Sequence, residues 1–265
     1  MMAGSDTLGF IGRRWSSQLA GWEIPAEIVA QAPISPWTFD PKMFLPDLGG
    51  GYSPSHLALL DLVAGIERPL VMDVGAGAGN AVLPVGDRID QLLAVDQSAE
   101  MLETLAGVAG GFPNLRLDTR LGNFMEIASE LPVADVVTCH HMVYNVADMP
   151  ALLQLLIDHA RVGVVLELTL HHPHYSLGLL WERFWGLERP AGPSAADVIE
   201  ALYAMGQRPT VSIYEGPRRT VDPEVKVGSF LQRLCLGAER SGEVVEAIDG
   251  GLELANPSVT LVIRA

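Results

Sequence analysis

The amino-acid sequence predicts an α/β fold in which a mostly parallel β-sheet is covered by helices on both faces. Short, continuous apolar runs recur through the middle of the 265-residue chain, and each is typical of a strand buried on both faces. Helical patterns separate these runs at the spacing of successive βαβ units, which favours parallel strands joined by right-handed crossovers. A glycine-rich segment follows the first run, where such sheets bind their ligands.

The predicted elements follow from these patterns. Strands are predicted at 70–74, 92–95, 115–117, 134–139, 162–168, 210–214 and 259–263, and helices at 55–64, 79–85, 98–106, 149–159, 176–186 and 224–236. In the helix 55–64 we expect Leu57, Leu60 and Ala64 on the inner face. Ser98 is the expected N-cap of its helix.

Residues 1–65 are predicted to form an N-terminal helical extension that acts as a cap, because prolines divide them into short pieces. Residues 66–265 then form one domain, which carries a second cap as an insertion at about 171–206. Both caps are rich in aromatic side chains, which favours either core packing or the walls of a ligand pocket. The first cap contains Trp15, Trp22, Trp37, Phe39, Phe44 and Tyr52, and the second contains Leu177, Leu180, Trp181, Phe184 and Trp185 on one helix face.

The amino-acid composition narrows the classes of molecule that the protein is expected to bind. Lys and Arg total 17 against 32 for Asp and Glu, so the formal charge is −15. This balance disfavours nucleic acids, anionic membranes and acidic substrates. The two cysteines, Cys139 and Cys235, build no disulfide framework, and no apolar run is long enough for a signal peptide or a membrane span. We therefore expect a cytoplasmic protein without nucleic-acid or membrane partners, whose apolar caps favour a homo-oligomer.

The run VMDVGAGAGN at 71–80 carries the strongest functional signal. Gly75, Gly77 and Gly79 alternate after Asp73, and about 20 residues later a second predicted strand ends in Asp96. Such a turn allows close approach to the backbone, and the second acidic residue suits ribose hydroxyls. A dinucleotide and S-adenosylmethionine both fit these features. The dinucleotide fingerprint fails, however, because its third glycine position falls on Asn80 or Val82.

The segment Asp73–Gly79 resembles the first motif of class I S-adenosylmethionine-dependent methyltransferases, D/E-x-G-x-G-x-G, and Asp96 matches their second acidic residue. The resemblance implies a Rossmann-like methyltransferase fold with a seven-stranded sheet and S-adenosyl-L-methionine as the cofactor. It also implies cofactor-binding roles for particular residues. Gly75, Ala76 and Gly77 would line the amino-acid end of the cofactor, and Asp73 would organise that end through the turn or a water. Asp96 would hold the ribose hydroxyls, and His140 would lie near the methyl group. The residues around the adenine would be Gln97, Met101, Asn123 and Phe124.

The resemblance places the transferred methyl group beside the segment that follows the fourth strand. His140, His141 and Tyr144 are therefore the candidate catalytic residues, since histidine suits the removal of a proton near neutral pH. His171, His172 and His174 follow the fifth strand. The five histidines have either no common role, a general-base or substrate-binding role, or a metal-binding role; we expect no metal site.

The predicted function is methyl transfer from S-adenosylmethionine to a small molecule, apolar or aromatic in character. One alternative is a protein of the same fold that binds the cofactor without transferring its methyl group. A second alternative is an RNA or protein methyltransferase. A nicotinamide-dependent oxidoreductase is disfavoured by the glycine spacing.

Overall fold

A seven-stranded sheet forms the centre of the molecule in the computed structural model, which describes residues 3–37, 44–215 and 223–265. The strand order is β3-β2-β1-β4-β5-β7-β6. Strands β1 to β5 are parallel, whereas β7 runs antiparallel between β5 and β6. The strands are β1 Leu70–Val74, β2 Gln91–Asp96, β3 Arg116–Leu121, β4 Ala134–His140, β5 Ala160–Thr169, β6 Thr210–Tyr214 and β7 Ser258–Arg264. The predicted α/β fold class is confirmed.

Helices cover both faces of this sheet. The α-helices are α1 Ala3–Ala20, α2 Ala26–Val29, α3 Pro54–Val63, α4 Ala99–Ala109, α5 Phe124–Ile127, α6 Met149–Asp158, α7 Gly178–Trp185, α8 Ala195–Ala204, α9 Pro223–Arg233 and α10 Ser241–Asp249. Ser98 caps α4 as predicted, accepting a hydrogen bond from Met101 N at 3.3 Å. Among the described helices, none combines the length and the apolar character needed to cross a membrane.

The two faces of the sheet have separate cores, because side chains alternate along each strand. On one face Met72 and Val74 pack with residues of α1, α6 and α8. On the other face Val71 packs with residues of α3 and α4. A third apolar cluster joins α2, α7, α9 and α10, and it buries Leu177, Leu180 and Trp181 of the predicted second cap.

Helix α1 belongs to the first of these cores. Trp15 is fully buried, its ring stacks on Tyr144 at 5.3 Å, and its Nε1 donates a hydrogen bond to Val146 O at 2.9 Å. Arg14 Nε donates to Asp197 Oδ1 at 2.9 Å, which ties α1 to α8. The beginning of the predicted N-terminal cap is thus core structure. Trp37, Phe44 and Tyr52 are exposed, whereas Phe39 lies outside the described residues.

Several details of the sequence prediction were wrong, and helices α8 and α10 were not predicted. The expected helix 79–85 is a 3₁₀ helix at Leu83–Arg88, since Pro84 removes a donor and Val85 has non-helical backbone angles. Of the residues expected on the inner face of α3, Leu57 is 56% exposed and Ala64, at the C-cap, is also exposed, while Leu59 and Leu62 are buried. The true inner face also buries Ser55 and His56, which brings polar side chains to the sheet.

The position of Trp15 leads to a stability prediction. We expect Trp15→Ala to lower the free energy of unfolding by about 3–5 kcal/mol, because it removes a fully buried aromatic side chain. Phe10→Ala on the same helix is the matched control; Phe10 is 57% exposed. Phe10→Ala should lower the free energy of unfolding by no more than about 0.5 kcal/mol. Urea unfolding followed by far-UV circular dichroism measures both, and equal losses would contradict the core role of α1.

Candidate active site at the carboxyl edge of the sheet

The candidate site lies where β1, β4 and β5 end side by side. The register places Asp73 of β1 opposite Thr138 of β4, and His140 of β4 opposite Glu167 of β5. Ligands of open α/β sheets bind outside the carboxyl ends of the strands, at the point where the strand order reverses. Here the reversal lies between β1 and β4. The predicted glycine turn and the candidate histidines therefore lie at neighbouring strand ends.

The glycine turn follows β1 and is held against β2. Gly75 N and Ala76 N donate hydrogen bonds to Val95 O at 2.9 and 3.1 Å. Gly75 has a φ of +70°, and a Cβ at this position would lie 2.9 Å from the Met142 side chain. Only glycine combines this conformation with this close approach. The segment after β4 therefore packs directly on the turn.

Asp96 at the end of β2 organises the same turn. Its Oδ2 accepts a hydrogen bond from Gly77 N at 2.8 Å, and its Oδ1 accepts one from Ser98 N at 2.8 Å. A carboxylate has further lone pairs, so these bonds leave acceptor capacity for ribose hydroxyls. The predicted ribose role of Asp96 stays a prediction.

The environment of the Asp73 carboxylate shows that the residues at the glycine turn suit S-adenosylmethionine. Its side chain is fully buried, and Oδ1 accepts the Thr138 hydroxyl at 2.7 Å. Its Oδ2 is buried without a hydrogen-bond partner. Burial raises the pKa of Asp73 to about 7, against the lowering effect of the Thr138 hydrogen bond, and the charge of Asp96 adds to the rise. S-Adenosylmethionine carries an ammonium and a sulfonium group, so an unpaired buried carboxylate oxygen at this turn fits it.

The four residues expected around the adenine differ in their exposure. Gln97 is exposed and Met101 is half-buried. Asn123 uses its amide oxygen as the N-cap of α5, accepting Met125 N at 3.1 Å. Phe124 is only 3% exposed and packs edge-on against His159, which leaves little of its ring accessible to an adenine. Stacking of Phe124 on the cofactor is therefore not supported by this placement.

His140 and His141 follow each other but differ in environment. Both ring nitrogens of His140 are buried without a hydrogen-bond partner, and burial lowers its pKa to about 4. His141 has a side chain that is 43% exposed, and its Nε2 lies 3.2 Å from Glu167 Oε1. The backbone of His141 has a φ of +55°, an unfavourable conformation for a residue with a Cβ that occurs at functional sites. The geometry favours His141 over His140 as a proton acceptor.

Glu167 of β5 joins this histidine to two distant elements. Its Oε2 accepts the Ser55 hydroxyl of α3 at 2.5 Å and the Tyr214 hydroxyl of β6 at 2.6 Å. Burial by itself would raise the pKa of Glu167. The hydrogen bonds from His141 and Ser55 and the charges of His140 and His141 lower the pKa by more, so it lies below its usual range. Ser55 and Tyr214 were not predicted as partners of Glu167, because they lie 112 and 47 residues away along the chain and no local motif marks them.

Tyr144 has a structural role. Its ring is 2% exposed and its hydroxyl donates to Thr169 O at 2.8 Å. Burial raises the pKa of Tyr144 far above its usual value. Contact of this hydroxyl with a substrate, as expected from the sequence, is not supported by this placement.

The histidines after β5 form a second group, within a layer of aromatic side chains. His172 stacks on Trp22 at 4.2 Å, and His171 stacks on Tyr175 at 4.2 Å. His174 lies near Trp37 at 6.5 Å. No group of three or more His, Cys, Asp or Glu side chains within residues 3–37, 44–215 and 223–265 is arranged to hold a metal ion.

Comparison with known proteins identifies a methyltransferase domain in this chain. Residues 71–163, from β1 to the middle of β5, match the sequence model of a family described as a methyltransferase domain. This segment contains the glycine turn, Asp96, and the histidines His140 at the end of β4 and His141 after it. No curated protein is significantly similar in sequence.

Solved structures share the fold at low sequence identity. The YcgJ protein from Bacillus subtilis is 16% identical, with a TM-score of 0.53, and the match covers 79% of this chain and 97% of that one. A structure described as a methyltransferase from Bacillus halodurans is 15% identical, with a TM-score of 0.55 and coverage of 79% and 98%. Magnesium protoporphyrin IX methyltransferase from Synechocystis, solved with bound S-adenosylhomocysteine, is 14% identical, with a TM-score of 0.51 and coverage of 82% and 90%.

These matches agree with the chemistry of the site. The matched domain, the D-x-G-x-G-x-G turn with its unpaired Asp73 oxygen, and the acidic end of β2 all point to one cofactor, S-adenosyl-L-methionine. Residues 71–163 thus form a methyltransferase domain, and the chain is an enzyme that uses S-adenosyl-L-methionine.

Proposed function

We propose that this enzyme methylates a small, apolar or aromatic molecule that binds between the strand ends and the aromatic layer above them. The observation that carries this acceptor class is the layer itself. Trp22 stacks on His172 with ring centroids 4.2 Å apart, and the exposed Trp37 stacks near His174 at 6.5 Å. Such walls suit a flat apolar ligand.

The charge of the chain supports the same choice. A formal charge of −15 repels the phosphate backbone of RNA, which weighs against an RNA methyltransferase. Transfer to a protein and a cofactor-binding protein without transfer activity remain the competing functions. A cytoplasmic location and self-association are predictions from the sequence alone.

The residues of the glycine turn would hold the cofactor, with Asp73 at its amino-acid end and Asp96 at its ribose. When bound, S-adenosylmethionine supplies a methyl group whose bond to sulfur breaks, leaving its electron pair on sulfur, as the bond from the acceptor to carbon forms. The chain's own task is to position the acceptor and to remove its proton.

His141 is the proposed general base. Because Glu167 is held ionised, it accepts a hydrogen bond from Nε2 of His141. This tautomer keeps the lone pair on Nδ1, the nitrogen that is free to take the acceptor's proton. Glu167 is a positioning residue, and Ser55 and Tyr214 position Glu167 in turn.

The acceptor class is tested by following the methyl group. Purified enzyme is incubated with methyl-labelled S-adenosylmethionine and a cell extract that is then divided into small-molecule, RNA and protein fractions. We expect label in the small-molecule fraction only, since the aromatic layer and the negative charge favour such acceptors. Label in RNA or protein alone would overturn the proposal, and no label in any fraction would favour the protein without transfer activity.

The base is tested by His141→Asn, because asparagine tolerates the left-handed backbone of this position. We expect kcat to fall by about 10²–10⁴-fold while the affinity for S-adenosylhomocysteine stays unchanged. Arg68→Asn is the matched control, since Arg68 has a φ of +57° and precedes β1, at the opposite edge of the sheet. Steady-state kinetics and calorimetry measure both variants; an unchanged kcat in His141→Asn would rule out this base.

The raised pKa of Asp73 predicts a pH dependence of cofactor binding. The carboxyl loses its proton as the pH rises through about 7, and only the ionised form pairs with the ligand's ammonium group. Affinity for S-adenosylhomocysteine should therefore rise about tenfold from pH 6 to pH 8. Calorimetry at several pH values measures the slope.

Two variants isolate the contribution of Asp73. In Asp73→Asn the affinity should be lower and should no longer depend on pH in this range. Asp118→Asn is the control, because Asp118 lies on β3 and is exposed; it should keep the slope of the wild type. A slope that persists in Asp73→Asn would show that another group titrates.

A further inference from the structure

A cavity of about 200 Å³ lies in the cap layer, apart from the glycine turn and from the His141–Glu167 pair. Its walls include Trp22, Tyr175, Gly178 and Arg189, and the side chains of Glu182 and Glu188 also line it. Trp22 contacts His172 of the aromatic layer described above, so the cavity adjoins the proposed acceptor region. Its volume is below the range of about 300–1,000 Å³ that is usual for ligand pockets.

Arg189 is the only cation among the lining residues, and the rest of the protein holds its guanidinium in place. The group lies 5.0 Å from the centroid of Trp22 and 5.1 Å from that of Trp181. Nη2 donates to Trp22 O, and Nη1 donates to Glu23 O at 3.2 Å. The guanidinium is thus preorganised by two indole rings and two backbone carbonyls.

The charge of Arg189 is not neutralised within the described part of the chain. No carboxylate among these residues forms an ion pair with Arg189, and its Nε is buried without a hydrogen-bond partner. Burial lowers the pKa of His172 to about 3 and that of His174 to about 4, and the positive charge of Arg189 contributes to both shifts. Because the guanidinium lining the cavity has no ion-pair partner among the described residues, an anionic ligand is favoured here.

Glu182 and Glu188 do not remove this need. Both are exposed, so water solvates their charges and screens their repulsion of an anion. Arg189 is half-buried and lacks that solvation at Nε. The charged group in the cavity that lacks a partner is therefore the guanidinium of Arg189.

We propose that this cavity binds the carboxylate of a small aromatic acid, with Arg189 as its charge partner and Trp22 and Tyr175 as its apolar walls. The inference goes beyond the proposed function, because this cavity stands apart from the glycine turn and from the proposed base. The formal charge of −15 disfavours acidic ligands on average, and Arg189 is a local exception. A cavity of about 150 Å³ can hold one benzene ring, so the ligand contains a single ring at this position. The guanidinium suits a carboxylate because its planar N–H donors match the two oxygens.

The test compares three probes of nearly equal shape: phenylacetate, phenylacetamide and phenethylamine. Protein-observed NMR titration up to millimolar concentrations measures the dissociation constant of each with the full-length wild type. We expect phenylacetate to bind about tenfold more tightly than phenylacetamide, because its hydrogen bond to Arg189 is charge-assisted. Phenethylamine should bind most weakly.

Two variants separate the roles of charge and space. Arg189→Gln should bring phenylacetate and phenylacetamide within about twofold of each other. Gly178→Leu should abolish binding of both while leaving Arg189 in place, because Gly178 is helical and its Cβ position faces open space. Arg183→Gln, at an exposed cation of α7, should match the wild type.

The outcomes also separate this inference from the proposed function. Absence of phenylacetate binding, equal affinity for the amide, or preference for phenethylamine in the wild type would overturn the carboxylate site. Stabilisation of the same protein by S-adenosylhomocysteine, together with label in the small-molecule fraction, would still support the proposed function. Binding of phenylacetate together with no label in the small-molecule fraction would instead contradict the proposed function, while the carboxylate site would still be supported.

Discussion

The buried carboxylate of Glu167 is the constraint on which the candidate active site depends. A buried charge is stable only when donors surround it, and here α3, β6 and the segment after β4 each supply one. The backbone joins the same arrangement, since His141 N donates to Glu167 O at 2.6 Å. These bonds hold His141 in its left-handed conformation with one nitrogen committed. Three separate regions of the chain must therefore fold together before the proposed base exists.

The cofactor side of the site has a different origin, because most of its bonds form between neighbouring strands. Asp96 holds Gly77 and Ser98, and Val95 O holds the start of the turn. The close approach of Met142 to Gly75 then joins this turn to the segment that carries the histidines. One half of the site is thus built locally around β1 and β2, and the other half is assembled from the N-terminal region, β5 and β6.

This difference explains which predictions succeeded. The strands and the glycine turn were predictable, because periodicity and glycine spacing act over a few residues; β1 and β6 begin and end where the sequence predicted. Long-range packing decided the other residues. Tyr144 carries a hydroxyl that made it a catalytic candidate, but its ring stacks on Trp15 of α1. Phe124 is buried in the core. The choice between His140 and His141 depends on which imidazole meets Glu167, and neighbours in sequence do not reveal that.

The sequence by itself determined the fold class, the order of the strands along the chain and the cofactor, because each is encoded in short patterns of apolar residues, glycines and acidic residues. Only the tertiary structure decided the partners of Glu167, the cavity at Arg189 and the choice of His141 as the proposed proton acceptor. These features depend on burial and on donors contributed from distant positions, such as Ser55, which lies 112 residues from the carboxylate that it stabilises. Burial raises the pKa of Asp73 and closes Arg189 Nε off from solvent, and burial is a property of the packed molecule.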